Sequence, residues 1–278
     1  MRPIISIIIP CYNSESTLES TLQSVLNQEF KYWEAIMVND GSPDNLELIA
    51  LKYQERDSRF IYHKKENGGL GSARNYGIRL AKGKYILPLD SDNQIEKDFT
   101  LDALSIFRKD SSIGVVHGDA EYFGEKTGVW KVNKFNLEKI LVTNYIDACA
   151  IYKRTLWEQV GGYDEKMPYQ GLEDWDFWIS LGKLNVSFFH LNKITFRYYV
   201  SSSSMILSYT QEMRMKNKDY IVKKHCRLFY NQYVKVVSSS DKIKENFIHK
   251  LKSKKVVIDL FSKTFFGFTC FSKEVDDF

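Results

Sequence analysis

The sequence predicts an α/β fold on a mostly parallel central sheet flanked by helices, with a helical C-terminal appendage. Three observations carry that expectation. Branched apolar runs alternate with segments of helical periodicity up to residue 92, which is the signature of repeated strand–helix units. Polar clusters fall just after several of the strands, where open α/β sheets bind ligands. Charge then shifts near residue 200: residues 201–278 hold 15 basic against 8 acidic side chains, whereas residues 1–200 hold 24 against 27.

Each element follows from its local pattern. Ile4–Ile9 is a short branched run, as expected of a strand buried on both faces. Leu18, Leu22, Val25 and Leu26 share one helical face, with Ser16 and Glu19 spaced as a capping box. Trp33–Val38 reads as a second strand, and Leu46, Ile49, Ala50 and Tyr53 repeat at helical spacing behind it. Phe60–His63 gives a third strand, Gly71–Ala81 a third helix, and Tyr85–Leu89 a fourth strand entering Asp90-Ser91-Asp92. Beyond residue 112 the pattern is mixed. Ile113–His117 reads as a strand, Leu137–Val142 and Thr155–Val160 as short helices, and Val186–Leu191 and Ile194–Val200 as two further strands. The chain from Tyr209 onward reads as helical, basic and amphipathic, and the serine run 201–204 marks the expected boundary.

Composition narrows the function classes. A net charge of +4 over 278 residues gives no argument for nucleic-acid binding. The run Ile4–Ile9 is far too short to span a bilayer. It is followed by polar Asn13-Ser14-Glu15 without a small-residue cleavage site, so the mature protein is expected to begin at Met1. Cys11, Cys149, Cys226 and Cys270 are scattered with no CxxC pair, which suggests neither a zinc site nor a disulfide framework and fits a reducing, cytoplasmic setting. Cys11 reads as structural, and His117 and His190, inside expected strands, as core or edge histidines rather than ligands.

Three clusters carry chemistry. Asp90-Ser91-Asp92 places two carboxylates one residue apart at the end of a strand, the oxygen donor type that Mg²⁺ or Mn²⁺ shares with substrate phosphates. The same residues also suit an ordinary turn, and Gln94 stands where a phosphatase of the DxDxT type needs Thr or Val. Asn67-Gly68-Gly69-Leu70-Gly71-Ser72-Ala73-Arg74 precedes and opens a helix whose N-terminus favours anions. Its spacing is not GxGxxG, which disfavours a dinucleotide enzyme. Glu173-Asp174-Trp175-Asp176 opens another helix, where the dipole helps keep Asp174 ionised, as a general base must be.

Together these segments resemble the family 2 glycosyltransferases of the GT-A fold over roughly residues 4–200. The resemblance rests on Ile8-Ile9-Pro10-Cys11-Tyr12-Asn13, Val38-Asn39-Asp40-Gly41-Ser42, residues 67–77, Asp90-Ser91-Asp92, Gly161-Gly162-Tyr163-Asp164 and Glu173-Asp174, in that order. It implies a nucleotide-sugar half over about 1–112 and an acceptor half over about 113–200. Pro10, Tyr12, Asn13, Asp40, Asn67, Arg74, Asp90 and Ser91 would bind the nucleotide. Asp40 would accept from the imide of a uracil-type base, and Asp92, with Asp90 beside it, would hold Mn²⁺ or Mg²⁺. Asp174 would take the proton of a saccharide or lipid-linked acceptor hydroxyl, giving inversion. Many relatives carry a His where this chain has Tyr199, and Arg197 is left as a phosphate contact. A catalytically silent nucleotide-binding domain competes with the enzyme; it is disfavoured because all four aspartates are intact. A nucleotidyltransferase would need its Gly-rich signature after the first strand.

The tail has its own two readings. Lys242, Lys244, Lys250, Lys252, Lys254 and Lys255 alternate with Ile243, Phe247, Ile248, Leu251, Val256 and Val257, ahead of Phe261, Phe265, Phe266, Phe268 and Phe271. Such a segment suits peripheral contact with the inner face of an anionic membrane. It equally suits a helical subdomain or a homodimer contact.

Overall fold

Branched apolar residues at both odd and even positions keep the first strands covered on two faces, and the sheet is built outward from them. The computed structural model describes residues 2–202, 209–266 and 269. Ser203 and Ser204 of the serine run, and Phe268, Cys270 and Phe271 of the tail, lie outside the described residues.

β1 (Ile5–Cys11) and β2 (Trp33–Asp40) are buried along their whole length. Between them lies α1 (Leu18–Leu26); α2 (Leu46–Arg56) leads to β3 (Phe60–Lys65), and α3 (Leu70–Leu80) leads to β4 (Tyr85–Pro88). β2 and β4 flank β1, all parallel, and β3 pairs parallel with β2. The chain therefore steps one way to β3 and returns to the other side of β1, which puts a topological switch point between the carboxyl ends of β1 and β4. Ile5, Ile7 and Ile9 face the core shared with Leu18, Leu22 and Val25, while Ile8 meets α3 on the opposite face.

The second half widens this sheet with mixed pairing. In chain order it adds β5 (Gln94–Ile95), α4 (Phe99–Lys109), β6 (Ile113–Gly124), β7 (Gly128–Trp130), α5 (Leu137–Val142), β8 (Ile151–Lys153), α6 (Arg154–Val160), α7 (Glu173–Lys183), β9 (Ser187–Val200) and α8 (Gln211–Lys224). The strand order is β3-β2-β1-β4-β8-β6-β9-β5, with β7 on β6. β8 is antiparallel to both β4 and β6, whereas β6 and β9 run parallel as a long ladder.

Four details differ from the sequence expectation. Thr17, not Ser16, occupies the cap of α1 without a side-chain cap bond, and Glu19 turns to Lys52 at 3.4 Å, so no capping box forms. The two strands expected over 186–200 are one strand, because a shift of register around Asp119 absorbs the polar Asn192-Lys193 interruption. α4, with Phe99, Ala103 and Phe107 buried, fills a stretch where no element was expected. The first compact unit runs to Lys224 rather than ending near residue 200. α8 belongs to it because buried Asn217 exchanges hydrogen bonds with the Tyr169 backbone, and Lys224 pairs with Asp164 at 2.5 Å and Asp176 at 2.8 Å.

The second unit, from His225, contains α9 (Cys226–Leu251) and α10 (Lys254–Phe266). α9 buries none of its side chains and exposes Tyr230, Tyr233, Val236 and Ile243. Among the described residues no helix is long and apolar enough to cross a membrane.

Candidate active site

A cleft of about 1080 Å³ opens over the switch point. The residues expected to bind nucleotide or metal or to act as base line it, Arg197 excepted: Pro10, Tyr12, Asn13, Asp40, Asn67, Arg74, Asp90, Ser91, Asp92 and Asp174. They come from loops that the parallel topology brings to one edge.

The loop after β1 is held in shape by Asn13, whose φ of 51° lies in the left-handed region that Asn tolerates, and whose N–H donates to Ser42 Oγ at 2.8 Å. The loop after β2 is set by Asp40. One of its oxygens accepts from Lys65 Nζ at 2.6 Å and Gly68 N at 3.0 Å, and the other from Gly69 N at 2.7 Å. Gln170 Oε1 accepts from Leu70 N at 2.8 Å. The N-terminus of α3, expected to attract an anion, is therefore already capped by two side chains of the protein. A carboxylate offers about four lone-pair sites, so Asp40 keeps one for a further donor.

Arg74 is the buried cation of the cleft, 2 % exposed, and its Nη2 donates to Asp90 at 2.6 Å. Burial is the largest single influence and opposes its charge, yet Asp90, Tyr163, Glu173 and Asp174 together outweigh it and hold the guanidinium above its usual pKa. Asp92 is different. It forms no ion pair among the described residues, and burial together with the Asp90 charge raises it to about 7. Asp90 is thus committed to Arg74, while Asp92 is the carboxylate short of a cation.

Across the cleft, α7 begins with Glu173 and Asp174. Burial raises Asp174 to about 6 against the pull of Arg74 and of hydrogen bonds from Asn144 and the Trp175 amide. The helix start was expected to favour ionisation. Desolvation wins instead, since a dipole at a helix end is worth less than removing water from a carboxylate. Glu173 is raised to about 6 by the same burial, and it accepts from Gly171 N at 2.8 Å.

Other residues of the cleft carried no motif. Asp147 sits in the segment between α5 and β8, accepts from Cys149 N at 2.8 Å, and is pushed up by burial and by the Asp90 charge. Asn144, in the same segment, donates to Asp174 Oδ2 at 2.8 Å. Trp130 and Tyr198 meet edge-to-face at 6.0 Å beside them. Tyr199 lines the cleft, and its amide donates to Asn93. Arg197 does not reach the cleft; it donates to Glu121 and Gln94 and lies over the Phe123 ring, so the phosphate contact expected of it is not made available. Cys11 is buried with its thiol pushed up by desolvation, and His117 and His190 lie in the β6–β9 ladder, as expected of structural residues.

A parallel sheet that reverses order beside a carboxylate-lined cleft, then continues through antiparallel strands to a second carboxylate cluster, defines the GT-A class of fold. The chain belongs to glycosyl transferase family 2, whose model matches residues 6–161. It is 32% identical over 199 residues to an uncharacterized glycosyltransferase of Rickettsia typhi, a match covering 67% of this chain and 61% of that protein. It is 30% identical to a chondroitin synthase of Pasteurella multocida over 70% of this chain, which is 20% of the synthase. The chain thus spans less than two thirds of the length of these relatives. Among solved structures, S. aureus TarS in complex with UDP-GlcNAc superimposes with a TM-score of 0.63 at 22% identity, over 77% of this chain and 64% of that one. The mannosyltransferase PcManGT of Pyrobaculum calidifontis, in complex with GDP-Man and Mn²⁺, gives 0.61 at 17% identity over 82% and 65%.

Proposed function

We propose that the chain moves a sugar from a nucleoside-diphosphate donor, most simply a UDP-sugar, to a hydroxyl of a saccharide or lipid-linked saccharide, with inversion, in polysaccharide biosynthesis. One observation carries the reading: a cation-deficient carboxylate, Asp92, and a carboxylate held by two hydrogen bonds, Asp174, border one cleft. TarS and PcManGT are described with UDP-GlcNAc and GDP-Man, and the named relatives include a chondroitin synthase and a minor teichoic acid biosynthesis protein, which supports donor class and pathway type.

The roles follow from the side chains. Tyr12, Asn13 and Asn67, with the free lone pair of Asp40, form the nucleoside end. Arg74 anchors Asp90 near the ribose. Among the described residues no three His, Cys, Asp or Glu side chains gather as a complete metal cage, which suits an ion bound by one or two carboxylates and substrate phosphates. Asp92, beside Asp90, would hold Mn²⁺ or Mg²⁺, and when bound the ion neutralises charge on the departing diphosphate. Asp174 accepts the proton of the acceptor hydroxyl as that oxygen bonds to the anomeric carbon. The bond from that carbon to the diphosphate oxygen breaks on the opposite face, and the nucleoside diphosphate leaves with the electron pair.

The test is a screen of UDP- and GDP-sugars with Mn²⁺, reading nucleoside diphosphate release, since water can replace an unknown acceptor. Turnover of one donor is the expected result. Nucleotide binding without turnover of any donor, with acceptors supplied, would favour the silent-domain reading.

A further inference from the structure

Asp174 does not stand alone at the start of α7. Its Oδ1 accepts from the Trp175 amide at 2.8 Å, and its Oδ2 accepts from Asn144 Nδ2 at 2.8 Å. The first bond is local, from the amide of the next residue. The second comes from a different segment, between Val142 and Ile151, and needs that segment to be held at a fixed distance from α7.

Two indoles hold it there. Trp175 Nε1 donates to Ile140 O at 2.5 Å, and Trp178 Nε1 donates to Ile146 O at 3.0 Å. Both rings are buried, as is Ile146. Donors on the first and second turns of α7 therefore clamp the chain on either side of Asn144. The amide is also oriented: Asn144 Oδ1 faces the Ile146 N–H at 3.4 Å, which turns its NH₂ toward the carboxylate. The reverse orientation would set a carbonyl oxygen against Asp174 and leave the Ile146 amide facing an NH₂.

The surrounding charges show why this contact matters. Asp174 is faced by Arg74 from α3 and by Asp90 from the end of β4. Glu173 adjoins it on α7, and Asp147 faces it from the segment that carries Asn144. The phenols of Tyr163, Tyr198 and Tyr209 complete that environment. Arg74 is the cation in this group and is bonded to Asp90. The side chain that donates directly to Asp174 is a neutral amide. A lysine in its place would hold the carboxylate too firmly ionised to accept a proton near neutral pH.

We propose that Asn144 is the positioning residue of the base: its amide fixes the Asp174 carboxylate in one orientation, favours its ionised form, and leaves the remaining lone pairs to the acceptor hydroxyl. This rests on Asp174 being the base. Two of the carboxylate's roughly four acceptor sites are used by Asn144 and Trp175, and Asp174 lines the cleft.

The experiment uses the full chain and the donor that the screen turns over, with hydrolysis followed from pH 5 to 9 in wild type, Asn144→Ala, Asn144→Asp and Asp174→Asn. UDP affinity is measured alongside by calorimetry. A donated bond to an ionised group is worth about 10–100-fold in its ionisation equilibrium. In Asn144→Ala the acid limb of kcat therefore moves up by about one to two pH units, the rate recovers partly at high pH, and donor KM and UDP affinity stay within about twofold. Asn144→Asp keeps the shape but replaces the donor by a like charge, so its limb moves further. A purely structural role would lower kcat/KM at every pH with the limb in place. An unshifted limb in both Asn144 variants, with Asp174→Asn inactive, overturns the role of Asn144 and leaves the base intact. Asp174→Asn at the wild-type rate overturns the base itself. Should the alanine variant lose UDP binding, the isosteric aspartate variant decides.

Discussion

The carboxylates of the first half of the chain and those across the cleft are arranged in opposite ways. Asp40 and Asp90 are tied to cations: Lys65 meets Asp40, and Arg74 meets Asp90, each at 2.6 Å. Among the described residues Asp174 and Asp147 accept from neutral amides, those of Asn144, Trp175 and Cys149, and both are raised by burial. Asp92 stands at the junction, on the first half's loop but with the unpaired character of the second. Paired carboxylates fix loops, because breaking such a pair leaves a buried charge. Carboxylates held by neutral donors stay free to exchange a proton or take an ion.

The sharpest way to break the comparison is Asp174→Asn. Transfer should fall by ~10²–10⁴ with UDP binding nearly unchanged, the usual worth of a general base; turnover assays and calorimetry on one preparation decide it. Next comes the seam between the halves. Asn75 on α3 is 3 % exposed, donates to Tyr163 O and Glu165 at 2.8 Å each, and accepts from Tyr163 N at 2.8 Å and Trp157 Nε1 at 2.9 Å. Asn75→Ala should lower unfolding stability by about 2–4 kcal/mol, because several buried partners lose their bond at once. Urea midpoints measure it, and an unchanged midpoint would mean that the halves are joined elsewhere.

Asp92→Asn tests the junction in two ways. Enhancement of UDP binding by Mn²⁺ should vanish. The native value of about 7 lies above that of an unfolded Asp near 4, so folding favours the protonated form. Its stabilising contribution is complete below about pH 4 and is lost as pH rises through 7. The metal-free variant should then melt higher than wild type at pH 8, with the gap narrowing toward pH 5; equal melting at both would remove Asp92 from the desolvated set. The smallest effect is expected from truncation after Lys224. The described residues that line the cleft belong to the first unit, so donor hydrolysis should persist within about twofold. The truncated chain should also bind anionic vesicles less well, each surface Lys or Arg being worth about 1 kcal/mol; co-sedimentation checks this.

The first half was legible because its chemistry follows strands. Asp40, Asp90 and Asp92 each come just after an apolar run, and strand–helix alternation pointed to a largely parallel sheet with its chemistry at the carboxyl ends of the strands. Asn144 and Asp147 were not legible. They lie between a six-residue helix and a three-residue strand, where no periodicity develops, and the placing of Asn144 depends on indoles more than 30 residues away in sequence. The state of Asp174 was also out of reach, since its helix position was visible but the water excluded around it was not. The extent of the first unit was missed for a related reason: charge composition changes near 200, but buried Asn217 and Ile221 and the Lys224 ion pairs join α8 to what precedes it.

Gly77 sets the thickness of this assembly. A Cβ at that position would come within 2.6 Å of Ile8 Cγ2 and 3.1 Å of Val38 Cγ2, so α3 rests on the sheet at a spacing that no larger residue permits. Arg74 lies three positions earlier on the same helix, on nearly the same face. The depth at which α3 beds onto β1 and β2 therefore sets how far the guanidinium extends toward Asp90. Gly77→Ala would act as a shim under the helix, lifting the arginine away from its carboxylate and changing the charge balance of a cleft that the substituted residue does not line.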